Sequence, residues 1–225
     1  MKKTQLFIFL LILIAEAVVV WLDLRKAEFI LKPLICIWLI ACFIYQAKEI
    51  RDRLKKWVII ALVFSWIGDI LLMFQADQPV FFLAGLVSFL LAHMSYILFF
   101  HFTRLRERIT SRWYLMLFVV VYYTVLIMQL GPYLGDFAVP VRVYGIVISF
   151  MLMLGMHMLF LKNKLAGLSM IIGAALFVLS DSILAFNKFY QSFESAGVFI
   201  MLTYGMAQFF IVDGATRYLS SWYKE

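Results

Sequence analysis

VFFLAGLVSFLLAHMSYILFFH, residues 80–101, runs for twenty-two residues without a Lys, Arg, Asp or Glu. A helix of that length spans about 33 Å at 1.5 Å per residue, enough to cross a hydrocarbon core of about 30 Å. Moving outward, similar apolar blocks occur at 5–22, 29–46, 57–74, 113–130, 140–161, 166–187 and 195–216. The pattern predicts an all-α membrane protein with eight transmembrane helices in a single integral domain over 1–225. Only 15% of the 225 residues are charged and 65% are hydrophobic, too little charge to solvate a soluble domain. Period-2 alternation is absent, which argues against a barrel. The segment MKKTQLFIFLLILIAEAVVV has the charge and apolarity of a signal peptide. Its apolar run is long and lacks a small-x-small cleavage site before Trp21, so it is read as a retained first span.

The net charge of +7 raises the question of nucleic acid, and the placement of the basic residues answers it. Fifteen of the twenty Lys and Arg fall at the two termini and in the 47–56, 102–112 and 162–164 connections, all on one side of an eight-span topology. The other side holds Arg25, Lys26, Lys32, Arg142 and Lys188. The positive-inside rule then puts both termini in the cytoplasm, with the basic loops facing anionic headgroups and not nucleic acid. In a bacterium the membrane would be the inner one. Cys36 and Cys42 lie six apart on one apolar helix, on different faces, and are read as packing residues; neither an internal disulfide nor a metal site is expected.

Two aspartates interrupt the oily spans, in GDILLMF (68–74) and SDSILAF (180–186). One carboxylate at the centre of a span costs about 2.5–3.5 kcal/mol on insertion scales, so each calls for a reason. Asp69 and Asp181 are 112 apart, and the same offset relates Ala84 to Ala196, Gly85 to Gly197 and Met94 to Met206. This predicts two parallel four-helix repeats, 1–112 and 113–225, with a site at their interface. Coincidence in a biased alphabet is the competing explanation.

Other polar groups fall in the same slab. His93 and Tyr96 sit one turn apart on the fourth span, as do Tyr204 and Gln208 on the eighth. Lys32 begins the second span, followed by Pro33 at a helix-start position; it either snorkels to the interface or pairs with one of the aspartates. His93, Tyr96, Tyr204 and Gln208 could equally be interhelical hydrogen bonders. Ser180 could bond back to its own helix, and His101 and His157 are placed at the interface. Two carboxylates held in different environments suit acid–base chemistry through an oxocarbenium-like transition state. The motifs of serine hydrolases, zincins, P-loop proteins and Rossmann enzymes are missing. A metal hydrolase on Asp69, His93 and Asp181 has no ligand-type spacing behind it. The reading from a different class is a proton-coupled lipid or small-solute transporter with the aspartates as a relay.

LKPL (31–34), FSWIGDILLMF (64–74), GLVSFLLAHMSYI (85–97), GAALFVLSDSILAFNKF (173–189) and TYGMAQFFI (203–211) together resemble the YhhN-like lysoplasmalogenase family of eight-span membrane proteins. The resemblance implies hydrolysis of the vinyl ether bond of lysoplasmalogens to a fatty aldehyde and a glycerophospho-headgroup, with lysophospholipid and water as partners and no metal or organic cofactor needed. On that footing Asp69 and Asp181 are the acid and base. Lys32 and Tyr204 hold or tune them, and His93 and Tyr96 orient water or the ether oxygen. Asn187 and Gln208 bind headgroup atoms, with Ser180 beside Asp181 in support. Oligomeric state is left open.

Overall fold

The computed structural model describes residues 3–75 and 78–224. Helices carry most of them: α1 (Lys3–Trp21), α2 (Arg25–Gln46), α3 (Lys55–Met73), α4 (Pro79–Arg106), α5 (Tyr114–Leu130), α6 (Ala138–His157), α7 (Lys164–Ala185) and α8 (Ala196–Lys224). Short 3-10 turns flank α5 and α6, and a π-helical turn at Phe186–Tyr190 continues α7. Among the described residues, eight helical segments are long and apolar enough to cross a membrane. The chain is an integral, multi-pass membrane protein.

Local chemistry sets several helix ends. Pro79 opens α4, where its missing N–H costs nothing. Asn163 caps α7, its Oδ1 accepting the Ala166 N–H at 3.1 Å. Two helices outrun their apolar blocks for tertiary reasons. α8 continues to Lys224 because Ala215, Tyr218 and Leu219 remain buried, and α4 reaches Arg106 past a buried Thr103. Pro33 corrects the sequence expectation: α2 begins at Arg25, so the proline lies two turns inside the helix. It removes the N–H that would bond the Phe29 carbonyl and loosens α2 beside Lys32.

The helices pack as close neighbours in pairs, α3 on α4 and α7 on α8, with α1 and α2 closing over α3 and α8 and with α6 bridging α4 to α7. α5 is outermost, resting chiefly on α6. Lipid tails offer no hydrophobic drive between helices, so close backbone approach matters more than in water. Gly173 of α7 is such a place: a Cβ there would meet the Ile211 nitrogen at 2.7 Å and the Ala207 carbonyl oxygen at 2.8 Å. Apolar stripes such as Phe7, Leu11, Ile14 and Val18 on α1, and Met116, Val120 and Val121 on α5, stay exposed for the acyl chains.

At the centre, the Tyr96 hydroxyl of α4 donates to Gln208 Oε1 of α8 at 2.5 Å, and Gln208 Nε2 donates to Ser65 Oγ of α3 at 2.8 Å. Tyr96 also packs edge-on against Phe177 of α7, ring centroids 6.4 Å apart. Tyr96 and Gln208 stand 112 residues apart in sequence, as do Ser65 and Phe177.

At the end of the bundle that carries the 47–54 connection, Arg106 donates two hydrogen bonds to Asp52, one of them at 3.0 Å, and its guanidinium lies over the Trp222 ring. Burial alone would raise the Asp52 carboxyl, but the Arg106 bonds, the Leu54 N–H and the Arg106 and Lys55 charges together hold it below the usual carboxylate value. A depressed carboxylate contributes stability that is complete above its unfolded value near 4 and is lost as pH falls through the folded value. Asp52→Asn is expected to cost about 1–3 kcal/mol at neutral pH, the size of a charge-assisted hydrogen bond. Thermal unfolding in detergent at pH 7 and below pH 4 checks it: the difference between variant and wild type should shrink at the acid end.

Candidate functional site

Asp69 lies late in α3, in a helix whose preceding Gly68 leaves room for the Phe89 ring; a Cβ at Gly68 would come within 2.7 Å of that ring. The Asp69 carboxylate is 2% exposed. The Tyr204 hydroxyl of α8 donates to its Oδ2 at 2.7 Å, and the Cys36 thiol of α2 lies 3.6 Å from the same oxygen and 3.2 Å from the Tyr204 hydroxyl. Cys36 is therefore part of the polar cluster, not the packing residue its apolar context predicts. Three helices thus converge on one carboxylate.

Asp181 occupies the corresponding late position in α7 and has its own donors. Tyr144 of α6 donates its hydroxyl to Asp181 Oδ2 at 2.5 Å. His93 Nε2 of α4 stands 3.0 Å from that oxygen and 2.7 Å from the Tyr144 hydroxyl. His93 is fully buried and held from behind, its Nδ1 3.3 Å from Met151 Sδ and its ring 4.6 Å from that of Phe177. The Asp181 side chain is 14% exposed, and that exposure faces a cavity.

Both aspartates line the same cavity, of about 190 Å³, together with Lys32, Glu28, Ser180, Asn187 and Tyr204. Gln75 adds one more polar side chain, and the rest of the wall is apolar, from residues such as Leu72, Phe89, Leu184, Ile200 and Met201. A smaller apolar pocket of about 40 Å³ adjoins it, sharing Leu72, Phe89, Asp181 and Leu184 and extending past Phe82, Leu86 and Phe189. On the other side a wider vestibule of about 360 Å³ shares Val20, Asn187 and Gly197. Asn187 comes from the π turn after α7 and lines both the cavity and the vestibule, its Oδ1 accepting the Phe193 N–H of the following connection at 3.2 Å.

Lys32 forms its ion pair with Glu28, one turn earlier, at 3.3 Å, and with neither aspartate. Ser180 donates to the Ile200 carbonyl oxygen of α8 at 3.0 Å instead of bonding back along α7. Tyr96 and Gln208 satisfy each other and Ser65 and do not line the cavity. His93 and Tyr96, although one turn apart, serve different clusters. His157, the last residue of α6, is buried and accepts the Arg112 N–H at 3.2 Å; His101 is partly exposed at the far end of α4.

Besides Cys36, four buried or cavity-lining polar residues escaped the sequence reading. Tyr144 looks like one more aromatic residue in an apolar block, and only α6 packing on α4 and α7 brings it to Asp181. Glu28 sits among polar residues at a span end. Asp213 binds Arg217 Nε at 2.5 Å along α8. Glu16 could have been found, since it stands inside LLILIAEAVVV; it is fully buried in α1, and neither oxygen has a hydrogen-bond partner among the described residues. No group of three or more His, Cys, Asp or Glu arranged for a metal ion occurs among the described residues.

The site can hold an amphiphile whose polar end lies toward Glu28 and Lys32 and whose middle lies between two carboxylates backed by tyrosine hydroxyls. Comparison with known proteins bears on what that amphiphile is. The model of the YhhN family matches residues 27–215. Human "Lysoplasmalogenase TMEM86B" is 33% identical over 160 residues, covering 70% of this chain and 62% of the human protein. Bovine "Lysoplasmalogenase TMEM86A" is 31% identical over 189 residues, covering 82% of this chain and 75% of the bovine one. The chain thus spans about three fifths of the length of its human TMEM86B relative. No solved structure matches significantly.

Proposed function

The chain belongs to the YhhN family, and on that premise we propose that it hydrolyses the vinyl ether bond of lysoplasmalogens, with Asp69 and Asp181 as the acid–base pair. The observation that carries the proposal is the shared cavity: carboxylates from α3 and α7 line one amphipathic space inside the membrane-spanning bundle. The names of its relatives supply the substrate class.

The chemistry needs two proton-transfer groups and water. A carboxylic acid protonates the β-carbon of the vinyl ether, whose π electrons form the new C–H bond and leave an oxocarbenium ion. Water adds to the α-carbon and gives its proton to a carboxylate. The hemiacetal then collapses: its hydroxyl proton passes to the carboxylate left by the first step, while the departing glycerol oxygen takes the proton held by the second carboxyl group, so both groups return to their starting states as fatty aldehyde and glycerophospho-headgroup depart. One water is consumed and nothing is oxidised or reduced. We assign the acid role to Asp69 and the base role to Asp181. Asp181 has the better hydrogen-bond donors, Tyr144 and His93, and faces the cavity where water would sit. Asp69 is almost wholly enclosed, with a thiol as its second neighbour. Tyr204 and Tyr144 fix the two carboxyl groups, and His93 fixes Tyr144. The opposed surroundings of two carboxyl groups are what acid–base pairs of this kind require.

A duplication explains how the pair arose. Tyr96 and Gln208, equivalent under the 112-residue offset, bind each other, and the exchanged contacts Gln208–Ser65 and Tyr96–Phe177 both occur. Equivalent residues meet in this way only near a pseudo-two-fold axis, so we infer two parallel four-helix halves with both termini cytoplasmic, the latter from the basic loops.

The deciding experiment is aldehyde release from choline and ethanolamine lysoplasmalogens by the purified protein in detergent. Turnover without a sealed compartment supports the hydrolase. Proton-coupled lipid movement in proteoliposomes with no aldehyde would sink it in favour of a transporter.

A further inference from the structure

We propose that Glu28 and Lys32 form a headgroup subsite that reads a zwitterion, Glu28 taking the ammonium group and Lys32 the phosphate. This rests on the lipid-hydrolase reading above and adds to it the residues that choose the headgroup.

The two side chains stand one turn apart on α2, paired at 3.3 Å, and both line the cavity that holds Asp69 and Asp181. They are only 28% and 14% exposed, so the pair is partly withdrawn from water and its charges are weakly hydrated. A headgroup with one negative and one positive charge replaces that single pair by two, each charge meeting its opposite. A phosphate alone cannot do so, because it takes Lys32 and leaves Glu28 without a partner. The surroundings strengthen the preference. Among the described residues, Lys32 is the only Lys or Arg lining the cavity or its vestibule, against Glu28, Asp69, Asp181 and Glu194. An anion without a cation attached enters a space rich in carboxyl groups.

The order of the spaces fits the same ligand. The vestibule joins the cavity at Val20, Asn187 and Gly197, and the apolar pocket joins it through Asp181 and Leu184. An amphiphile with its headgroup at Glu28 and Lys32 and its chain among Phe82, Leu86 and Phe189 brings the bond between chain and glycerol to the two aspartates. Glu28 is thus a specificity residue remote from the reacting bond.

The test is binding of sn-glycero-3-phosphoethanolamine and of glycerol 3-phosphate to the purified protein in detergent, followed by titration calorimetry, with aldehyde release measured beside it. The first compound is expected to bind about tenfold tighter, the worth of one charge-assisted hydrogen bond. Glu28→Gln should weaken the first and strengthen the second, bringing the two within about threefold; Lys32→Gln should weaken both. Opposite shifts in one variant are something a merely misfolded protein does not produce. Equal weakening of both ligands in Glu28→Gln, or no preference in the wild type, overturns the subsite. A wild type that discriminates between the compounds yet releases no aldehyde keeps the subsite and overturns the hydrolase, whereas aldehyde release without discrimination does the reverse.

Discussion

Aldehyde release is expected to fall at least about a thousandfold in Asp69→Asn and in Asp181→Asn, the upper range for removal of a general acid or base. The amide keeps the shape of each side chain and its capacity to accept from Tyr204 or Tyr144, so the bundle should stay folded. What it loses is the exchangeable proton at one position and the basic oxygen at the other. The two losses differ in one respect. Formate should restore part of the activity to Asp181→Ala, whose side chain is the more open to the cavity, and less to Asp69→Ala, which is enclosed by Tyr204 and Cys36. Activity within about tenfold of wild type in either Asn variant, with unfolding temperature unchanged, would remove that aspartate from the chemistry.

The second large effect is on stability. Gly173→Ala should destabilise the protein by about 3 kcal/mol, at the upper end of overpacking costs, because the added methyl group meets α8 backbone as well as the Ile211 side chain, and backbone cannot rotate away. Its position would lie 2.7 Å from the Ile211 nitrogen and 2.8 Å from the Ala207 carbonyl oxygen, both inside α8. Relief requires α7 and α8 to separate, and those helices carry Ser180, Asp181 and Tyr204 to the cavity. Unfolding temperature and turnover should therefore drop together. Gly131→Ala is the matched control, since its Cβ meets nothing within 4 Å and its backbone is already helical. Unfolding of Gly173→Ala at the wild-type temperature would show that the helices can shift apart without loss.

Those effects separate what the linear chain carries from what the fold adds. Eight apolar blocks bounded by short polar connections were legible because a bilayer leaves few alternatives: every backbone group must be bonded within a helix, and the span length is fixed by the hydrocarbon thickness. The cost of a carboxylate in a span likewise made Asp69 and Asp181 conspicuous, and the 112-residue offset tied them together before any contact was known. Lys32, Ser180, Asn187 and Tyr204 were also picked out, and all four reach the cavity wall.

Partnership was another matter. Charge alone suggested Lys32 for an aspartate, yet Glu28 on the same helix is nearer, and the aspartates are met by tyrosine hydroxyls. Tyr144 and Cys36 carry no signal in a sequence rich in aromatic and small apolar residues, and Tyr96 and Gln208 looked like site residues when they bind each other. The sequence by itself determined the number of spans, their approximate ends and the two carboxylates, because these follow from the transfer energies of single residues and segments. Which hydroxyl meets which carboxylate, and that both carboxylates face one cavity, only the tertiary structure decided. Those relations depend on the rotation and offset of separate helices, set by close contacts such as Gly68 on Phe89 and Gly173 on Ile211, and no local pattern encodes them.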